Sequence, residues 1–325
     1  MPFSNKKGLK VYRPHVSPYQ DPHFKTWEKK ALEKIEGITY LDSLTDSPQI
    51  LLTNTHFDYQ SFLNQNGPSR PNALELIIHP NSGYDNFPRA LIQKISTPII
   101  LGNPIRSQAV SNYILSCIFE QLTAIPLLKK WNPLRTWPRE TLQEKNILII
   151  GQGHIGSILK VALDPLVKEI FVADPYKGLG TLEESPLEKA HIIILACGLN
   201  QGNQGLLGKK QFGRMKTDVL LINPARGKLI NEKDLIDFLG QHPDSFAYLD
   251  VFEKEPVDYK KFQNLNNIRL TPHIAGVFEA LDLKIIEFEC EILQNYLKFK
   301  NKTFNFFNHY NDLVLKNKLQ HGMII

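Results

Sequence analysis

The stretch NILIIGQGHIG, residues Asn146–Gly156, decides how the rest of the chain is interpreted. A continuous apolar run leads into three glycines, Gly151, Gly153 and Gly156, and a run of helical composition, SILKVAL, follows. The first glycine permits a tight turn, the second lets the backbone approach a pyrophosphate, and the third allows the helix to pack closely on the strand. With a strand before it and a helix after it, this spacing predicts a dinucleotide-binding turn. A glycine turn without a ligand is the alternative.

The residues around this turn predict which dinucleotide binds. His154 and Ile155 would offer backbone N–H groups to the phosphates at the start of the helix. The next apolar run, EIFVADP, ends at Asp174, where a carboxylate can bind both hydroxyls of the adenine ribose and would repel a 2′-phosphate. We therefore expect NAD rather than NADP as the cofactor. An aspartate that only caps a turn is the alternative.

Outward from this stretch, short apolar runs alternate with helical patterns along the chain. The runs are LKVY, QILLT, ALELII and TPIIL in the first hundred residues, and NILIIG, EIFVAD, HIIILA, DVLLIN, FAYLD and NIRLTP from Asn146 to Pro272. Continuous rather than alternating apolar runs are typical of parallel strands that helices cover on both faces. Strands separated by helical segments indicate βαβ units. The sequence therefore predicts an α/β fold class with doubly wound parallel sheets.

Two longer helical patterns suggest where the chain passes between domains. Gln108 to Lys130 is apolar and of helical length, and the proline-rich stretch WNPLRTWPRE that follows predicts a loop. Val277 to Lys300 has apolar residues at spacings of three and four, as in a second long helix. We expect this helix to return the chain to the first domain. The dinucleotide-type domain would then be inserted into a smaller one.

Composition argues against several function classes. The net charge of +5 over 325 residues is small, and the short cluster Lys298 to Lys302 suits a solvated helix end better than a nucleic-acid site. Cys117, Cys197 and Cys290 are too far apart to indicate a metal-ligand pair or a disulfide framework. The N-terminus lacks the apolar core of a signal peptide, and no apolar stretch approaches the roughly 20 residues that span a bilayer. We expect a cytoplasmic protein without a metal, nucleic-acid partner or membrane contact.

Three later segments are more specific: LLINPARGKLINEKDL, YLDVFEKEP and LTPHIAG. With SGYDN at Ser82–Asn86, they make the chain resemble the D-isomer-specific 2-hydroxyacid dehydrogenase family from about Leu51 to Phe299. The resemblance implies two Rossmann-like domains with the active site in the cleft between them. Residues 1–106 plus 283–325 would form the substrate domain, and residues 107–282 the NAD-binding domain. It also implies a homodimer.

The resemblance assigns the family's catalytic arginine, glutamate and histidine to Arg226, Glu255 and His273. Hydride transfer to a 2-oxo acid develops charge on the carbonyl oxygen, and a proton must arrive there. His273 would donate that proton, Glu255 would favour its imidazolium, and Arg226 would hold the substrate carboxylate. Taken singly, each of these residues is more often structural in proteins. It is their joint occurrence in three motifs that indicates chemistry.

Further contacts follow from the same resemblance. Asp250, at the end of FAYLD, would contact the nicotinamide carboxamide, and Ala225, beside Arg226, would also contact the cofactor. For Asp250 the alternative is a helix or turn cap. The backbone N–H groups of Ser82 and Gly83 would bind the substrate carboxylate, with a simple turn before Asp85 as the alternative.

The chain departs from the family pattern at three places. Gly198, Leu199 and Asn200 stand where the family usually has Pro-Leu-Thr, in a segment that lines the cofactor cleft. The run Ser111–Tyr113 lacks the usual acidic residue, and Asn81 replaces a glycine of the substrate loop. These departures cluster around the substrate and the nicotinamide, so the sequence does not indicate which 2-oxo acid binds.

Three functions remain open at this point. An active dehydrogenase that acts on a small 2-oxo or 2-hydroxy acid is the first. An NAD(H)-sensing protein is the second, because corepressors of the C-terminal-binding-protein type are similar in fold and can retain the same three residues. Formate dehydrogenases are the third, but they carry glutamine where Glu255 stands.

Overall fold

The computed structural model describes residues 8–44, 47–59, 74–84, 87, 96–137 and 139–316. These residues form two compact units. The first contains the described residues up to Arg106 and those from Phe278 onward, and the second is Ser107–Val277. Asp85 and Asn86 of the SGYDN motif lie outside the described residues. The assignment of the substrate to the first unit and the cofactor to the second stays a prediction.

The first unit contains a parallel sheet with the strand order β2-β1-β3-β4-β5. Its strands are β1 (Leu9–Tyr12), β2 (Ile38–Leu41), β3 (Ile50–Leu52), β4 (Leu76–His79) and β5 (Ile99–Leu101). Four of them are the apolar runs that the sequence predicted. The strand β2 was not predicted, because ITYL is short, has a polar threonine inside it and buries only Tyr40. It occupies the edge of the sheet beside β1, where one-sided burial is enough.

The second unit contains a six-stranded parallel sheet with the order β11-β10-β9-β8-β6-β7. Its strands are β6 (Asn146–Ile150), β7 (Glu169–Ala173), β8 (Ile192–Leu195), β9 (Leu220–Asn223), β10 (Phe246–Leu249) and β11 (Ile268–Leu270). All six were predicted from their apolar runs. The first strand, β6, lies between the second and the third, so the chain reverses its direction of winding there. Ligands of open α/β sheets bind at such a switch point.

Both sheets are covered on both faces, which explains the continuous apolar runs. In β6, Leu148 and Ile150 belong to one buried cluster, whereas Ile147 and Ile149 belong to another on the opposite face. The first sheet divides in the same way: Leu52 packs on one side and its neighbour Leu51 on the other. The structure confirms the predicted fold class of two doubly wound parallel sheets.

The helices are α1 (Phe24–Leu32), α2 (Asn103–Thr123), α3 (His154–Leu163), α4 (Lys209–Phe212), α5 (Glu232–Gln241), α6 (Leu281–Lys300) and α7 (Phe306–His309). The predicted helix Gln108–Lys130 was wrong at both ends. Helix α2 starts earlier, at Asn103, since a proline is compatible with a first helical turn. It stops at Thr123 because Pro126 has no N–H to donate and disfavours helical geometry at Ile125. Of the helices described here, none is both long and apolar enough to cross a bilayer.

Candidate active site

The glycine turn lies at the carboxyl end of β6 and is closely packed. Gly151 has a φ of +104°, and a Cβ built there would lie 2.8 Å from the backbone of Ala196, at the end of β8. A Cβ on Gly156 would lie 2.0 Å from the carbonyl oxygen of Gly151. Gly153 is the N-cap of α3, which begins at His154. The three glycines therefore bring the start of α3 to the switch point, where the positive end of a helix favours anions.

Asp174 directly follows β7, beside the glycine turn. Its side chain is buried, and its Oδ2 accepts a hydrogen bond of 2.8 Å from the backbone N–H of Gln152. Its Oδ1 has no hydrogen-bond partner among the described residues. Since buried carboxylate oxygens are normally bonded, this oxygen fits a ligand that donates to it, such as a ribose hydroxyl. The alternative, a turn cap, accounts for only one of the two oxygens.

A pocket of about 270 Å³ opens next to Asp174 in the second unit. Gly151 and Cys197 line it from the ends of β6 and β8, and Asn200 and Leu206 from the chain after β8. Its volume is close to the lower end of the roughly 300–1,000 Å³ usual for small-molecule sites. The pocket therefore suits one nucleoside rather than a whole dinucleotide. The glycine turn and Asp174 both fit the predicted nucleotide.

Arg226, Glu255 and His273 follow β9, β10 and β11, three neighbouring strands of the second sheet. The Nδ1 of His273 lies 2.9 Å from Oε2 of Glu255. Both side chains are partly exposed, at 53% and 39%. Since Nδ1 faces the carboxylate, Nε2 is the ring nitrogen that can exchange a proton with a bound molecule. The structure brings together the predicted histidine and glutamate.

The electrostatics around Glu255 support an ionised carboxylate. Partial burial acts to raise the pKa of Glu255, but the hydrogen bond and charge of His273, the N–H of Phe252 and the charge of Arg226 outweigh it. The net effect holds the pKa of Glu255 below its ordinary value. A carboxylate in this state stabilises a protonated imidazole beside it. The pair can therefore pass a proton to or from a bound molecule through Nε2 of His273.

Asp250 anchors the turn that carries His273. Its Oδ1 accepts hydrogen bonds from the hydroxyl of Thr271 (2.6 Å) and the N–H of Ile274 (2.8 Å). Its Oδ2 accepts one from the N–H of Ala275 (2.8 Å), and its carbonyl oxygen accepts one from the N–H of His273 (2.8 Å). Burial raises the pKa of Asp250 in spite of these donors. The alternative of a turn cap is thus observed, and contact with a nicotinamide stays a prediction.

Sequence reasoning missed Tyr113, which supports this anchor from α2. Its hydroxyl lies 2.8 Å from Oγ1 of Thr271. Because the Thr271 hydroxyl donates to Asp250, the hydroxyl of Tyr113 must donate to Thr271. The run Ser111–Tyr113 was noted only as a departure from the family pattern. Its contribution is visible only once α2 and the chain after β11 are seen together.

The backbone of Arg226 is fixed by the asparagine that ends β9. The Nδ2 of Asn223 donates to the carbonyl of Arg226 at 2.9 Å, and its Oδ1 accepts from the N–H of Ala225 at 3.1 Å. Gly227 has no room for a side chain, since a Cβ would lie 1.8 Å from the carbonyl carbon of Phe252. This close approach sets the chain after β9 against the chain after β10. Arg226 and Glu255 thereby come near enough for the arginine charge to lower the pKa of the glutamate.

Ser82 and Gly83 lie in the first unit, shortly after β4. The carbonyl oxygen of Gly83 is 2.8 Å from Nε2 of the fully buried His79, and the Nδ1 of His79 is 2.9 Å from Oγ1 of Thr53. His79 can donate to a carbonyl only through a protonated Nε2, so we assign the Nε2–H tautomer. His79 therefore fixes the backbone of the predicted substrate loop. No residue pattern predicts this contact, because a histidine that ends an apolar run has no motif around it.

Residues 123–275 match the family model described as the D-isomer specific 2-hydroxyacid dehydrogenase, NAD binding domain. The Staphylococcus aureus (strain N315) protein SA2098, named as a 2-hydroxyacid dehydrogenase, is 34% identical over 233 residues, which cover 65% of this chain and 72% of that protein. A hydroxypyruvate reductase of Blautia hydrogenotrophica is 28% identical over 183 residues, 52% of this chain and 57% of its own.

Solved structures show the same fold at low sequence identity. D-lactate dehydrogenase from Aquifex aeolicus, complexed with NAD and lactic acid, superposes with a TM-score of 0.67 at 17% identity, over 94% of this chain and 99% of that one. D-2-hydroxyisocaproate dehydrogenase gives a TM-score of 0.66 at 16% identity, over 90% and 98% of the two chains. At these identities, the superpositions support the architecture alone.

Proposed function

The chain belongs to the D-isomer-specific 2-hydroxyacid dehydrogenase family of NAD-dependent oxidoreductases, and we propose that it interconverts a small 2-oxo acid and its D-2-hydroxy acid. The observation that carries this proposal is the pair of His273 and Glu255, 2.9 Å apart, with Arg226 after the neighbouring strand. The reduction needs a general acid, a carboxylate that stabilises the protonated form of that acid, and a cation that binds the substrate carboxylate.

The roles of the three residues follow from their chemistry. Bound NADH would supply the hydride that attacks C2 of the 2-oxo acid. The Nε2 of His273 gives its proton to the carbonyl oxygen, and Glu255 keeps the imidazole oriented through Nδ1. Arg226 binds the substrate carboxylate through its planar guanidinium. In the opposite direction His273 accepts the proton of the hydroxy acid.

We further propose NAD rather than NADP as the cofactor. The turn of Gly151, Gly153 and Gly156 would hold the pyrophosphate, with N–H groups of His154 and Ile155. The free Oδ1 of Asp174 suits a ribose hydroxyl, and its charge disfavours a 2′-phosphate. Asp250 would contact the nicotinamide carboxamide, and Ala225 would also contact the cofactor.

We assign the backbone N–H groups of Ser82 and Gly83 to the substrate carboxylate, with His79 as the residue that holds their loop. The relatives named above are dehydrogenases and a reductase, which favours an enzyme over an NAD(H)-sensing protein of the corepressor type. Cytoplasmic location stays a prediction.

A homodimer also forms part of the proposal. The chain that follows α2 exposes five large apolar side chains, each between 63% and 89%: Ile125, Leu127, Leu128, Trp131 and Leu134. A cluster of this kind on a soluble protein usually marks an interaction surface. We expect a second copy of the chain to cover it, and charged substitutions at Leu127 and Trp131 to shift the protein from dimer to monomer in sedimentation experiments.

A panel of 2-oxo acids with NADH tests the proposed activity. It should contain hydroxypyruvate and pyruvate first, because relatives are named for hydroxypyruvate and lactate, then glyoxylate, longer and aromatic analogues, and a phosphorylated one. Oxidation of NADH, followed by its absorbance, with one or more of these acids is the expected result. An Arg226→Ala variant assayed in parallel excludes a contaminating dehydrogenase. Tight NADH binding without turnover of any of the acids would contradict the proposal.

A further inference from the structure

The loop Gly198–Asn203, which departs from the family pattern, is held by two asparagine side chains. The Oδ1 of Asn203 accepts a hydrogen bond of 2.7 Å from the N–H of Asn200, and its Nδ2 donates to the carbonyl of Gly198 at 2.7 Å. The Oδ1 of Asn200 accepts one of 2.7 Å from the N–H of Gly202. These bonds restrict a loop that the family usually restricts with a proline.

The same bonds determine which way the amide of Asn200 points. A backbone N–H can only donate, so the atom that faces Gly202 must be the amide oxygen. The Nδ2 group therefore faces the other way. It is buried, with the residue only 7% exposed, and has no hydrogen-bond partner among the described residues. A buried amide donor without an acceptor is unusual in a native protein and indicates that a partner is missing.

Asn200 and Asp174 line the same pocket of about 270 Å³. The pocket thus presents a buried acceptor without a donor, Oδ1 of Asp174, and a buried donor without an acceptor, Nδ2 of Asn200. Adenosine carries both complements: ribose hydroxyls that donate and ring nitrogens that accept. We propose that Asn200 donates a hydrogen bond to a ring nitrogen of adenine while Asp174 accepts from the ribose. This inference rests on the proposed dinucleotide cofactor and names an additional residue that selects its base.

Direct binding tests this without turnover. Titration calorimetry with AMP and with adenosine should show that Asn200→Ala binds each about threefold to tenfold more weakly than the natural sequence, the range expected for one neutral hydrogen bond. Adenosine is included because it has no phosphate. If the weakening occurs with AMP but not with adenosine, the contact is to phosphate, and the proposal is overturned.

Base analogues identify the acceptor. The experiment would compare the affinities of 1-deaza-, 3-deaza- and 7-deaza-adenosine, each of which lacks one ring nitrogen. One analogue should bind the natural protein more weakly and be insensitive to Asn200→Ala. If every analogue retains the full effect of Asn200→Ala, the amide does not donate to the ring.

Asn203→Ala is the matched control, since it removes the other asparagine that holds the loop but keeps the Asn200 amide and its bond from Gly202. Its effect should be the same for adenosine and all three analogues, unlike that of Asn200→Ala. Thermal unfolding without ligand confirms that both variants fold. If the natural protein binds no adenine nucleotide, the proposed cofactor fails. If it binds them and Asn200→Ala binds equally well, only the role of Asn200 fails.

Discussion

The two sheets have the same order around their first strand, but the ends of those strands differ. In each, the first strand lies between the second and the third, β2-β1-β3 and β7-β6-β8. After β6 comes Gly151, which leaves room for a turn and lines the pocket. After β1 comes Arg13, whose buried side chain, 1% exposed, takes the corresponding place at the end of that strand. The strand order predicts a crevice at the carboxyl end of the first strand in both units. The residue that directly follows that strand, Arg13 or Gly151, determines whether the crevice is filled or open.

Arg13 is the centre of a buried ion network in the first unit. Its Nε donates to Oε1 of Glu28 at 2.6 Å, and its Nη2 donates to Oε1 of Glu289. The hydroxyl of Tyr40 donates to Glu28 at 2.6 Å. The pKa of Arg13 is raised, because the charges of Glu28 and Glu289 outweigh the burial that acts against it. The switch point of the second unit thus lines a pocket, whereas that of the first unit is occupied by Arg13 and its two carboxylate partners.

Changes at the site after β9, β10 and β11 should abolish activity and leave stability nearly unaltered. His273→Ala should lower kcat/KM by about 10²–10⁴-fold in both directions, the usual contribution of a general acid or base. Arg226→Ala should cost at least about a hundredfold, since an unpaired substrate carboxylate costs roughly 2–5 kcal/mol. Steady-state rates measure both effects, and urea unfolding is the control. An active His273→Ala enzyme would mean that the proton comes from elsewhere.

A change at Arg13 should do the opposite. Arg13→Met leaves two buried glutamates without their cation, and removing one partner of a buried ion pair costs about 3–5 kcal/mol. We expect the free energy of unfolding, measured with urea, to fall by that amount. A loss below about 1 kcal/mol would show that the first switch point is not held by this network.

Asp174→Ala tests the switch point of the second unit, where the pocket lies. It removes a hydrogen-bonding charge that a ribose would contact, worth roughly 1.5–3 kcal/mol, so the preference of the natural enzyme for NADH over NADPH should narrow by about tenfold or more. The ratio of kcat/KM for the two cofactors measures it. A natural enzyme that uses NADPH as well as NADH would contradict the assignment of Asp174.

Glu255→Gln should change the pH dependence more than the maximal rate. The pKa of Glu255 is lowered, and its carboxylate lies 2.9 Å from Nδ1 of His273, where it would favour the imidazolium. Glutamine keeps the shape without the charge, so the alkaline limb of the reductive profile should move to lower pH, by about one unit. Oxidation, which needs neutral His273, should lose less. An unshifted reductive profile would mean that Glu255 does not act through His273.

The smallest effect concerns Glu289. Burial and the neighbouring Glu28 raise the pKa of Glu289 well above its ordinary value, although Arg13 opposes this. A raised folded pKa adds stability that is complete below the unfolded pKa and is lost as pH rises through the folded pKa. At low pH, Glu289→Gln should therefore lower the free energy of unfolding by about 1 kcal/mol or less. As pH rises, the stability of the variant relative to the natural protein should increase. Unfolding free energies at pH 5 and pH 9 test the sign.

The sequence predicted features that depend on neighbouring residues and missed those that depend on contacts between distant ones. Ten of the eleven strands follow from apolar runs of four to six residues, and the glycine turn follows from one motif, so these were predicted; β2 was not, because it buries only Tyr40. The network of Arg13, Glu28 and Glu289 joins residues 276 positions apart, and only the folded chain brings them together. The same holds for Tyr113 behind Asp250, 158 positions from Thr271. The orientation of the Asn200 amide depends on hydrogen bonds that no residue pattern encodes.

The backbone of His273 has a consequence for engineering. Its φ of +57° lies in the left-handed region, which costs a residue with a side chain roughly 1 kcal/mol and costs glycine little. The fold accepts that cost because Asp250 clamps the turn from both sides. His273→Gly would relieve this strain, but it would also remove the bond to Glu255 and give the unfolded chain more backbone freedom. The proton transfer proposed for His273 therefore asks for a side chain at a position whose backbone conformation favours glycine.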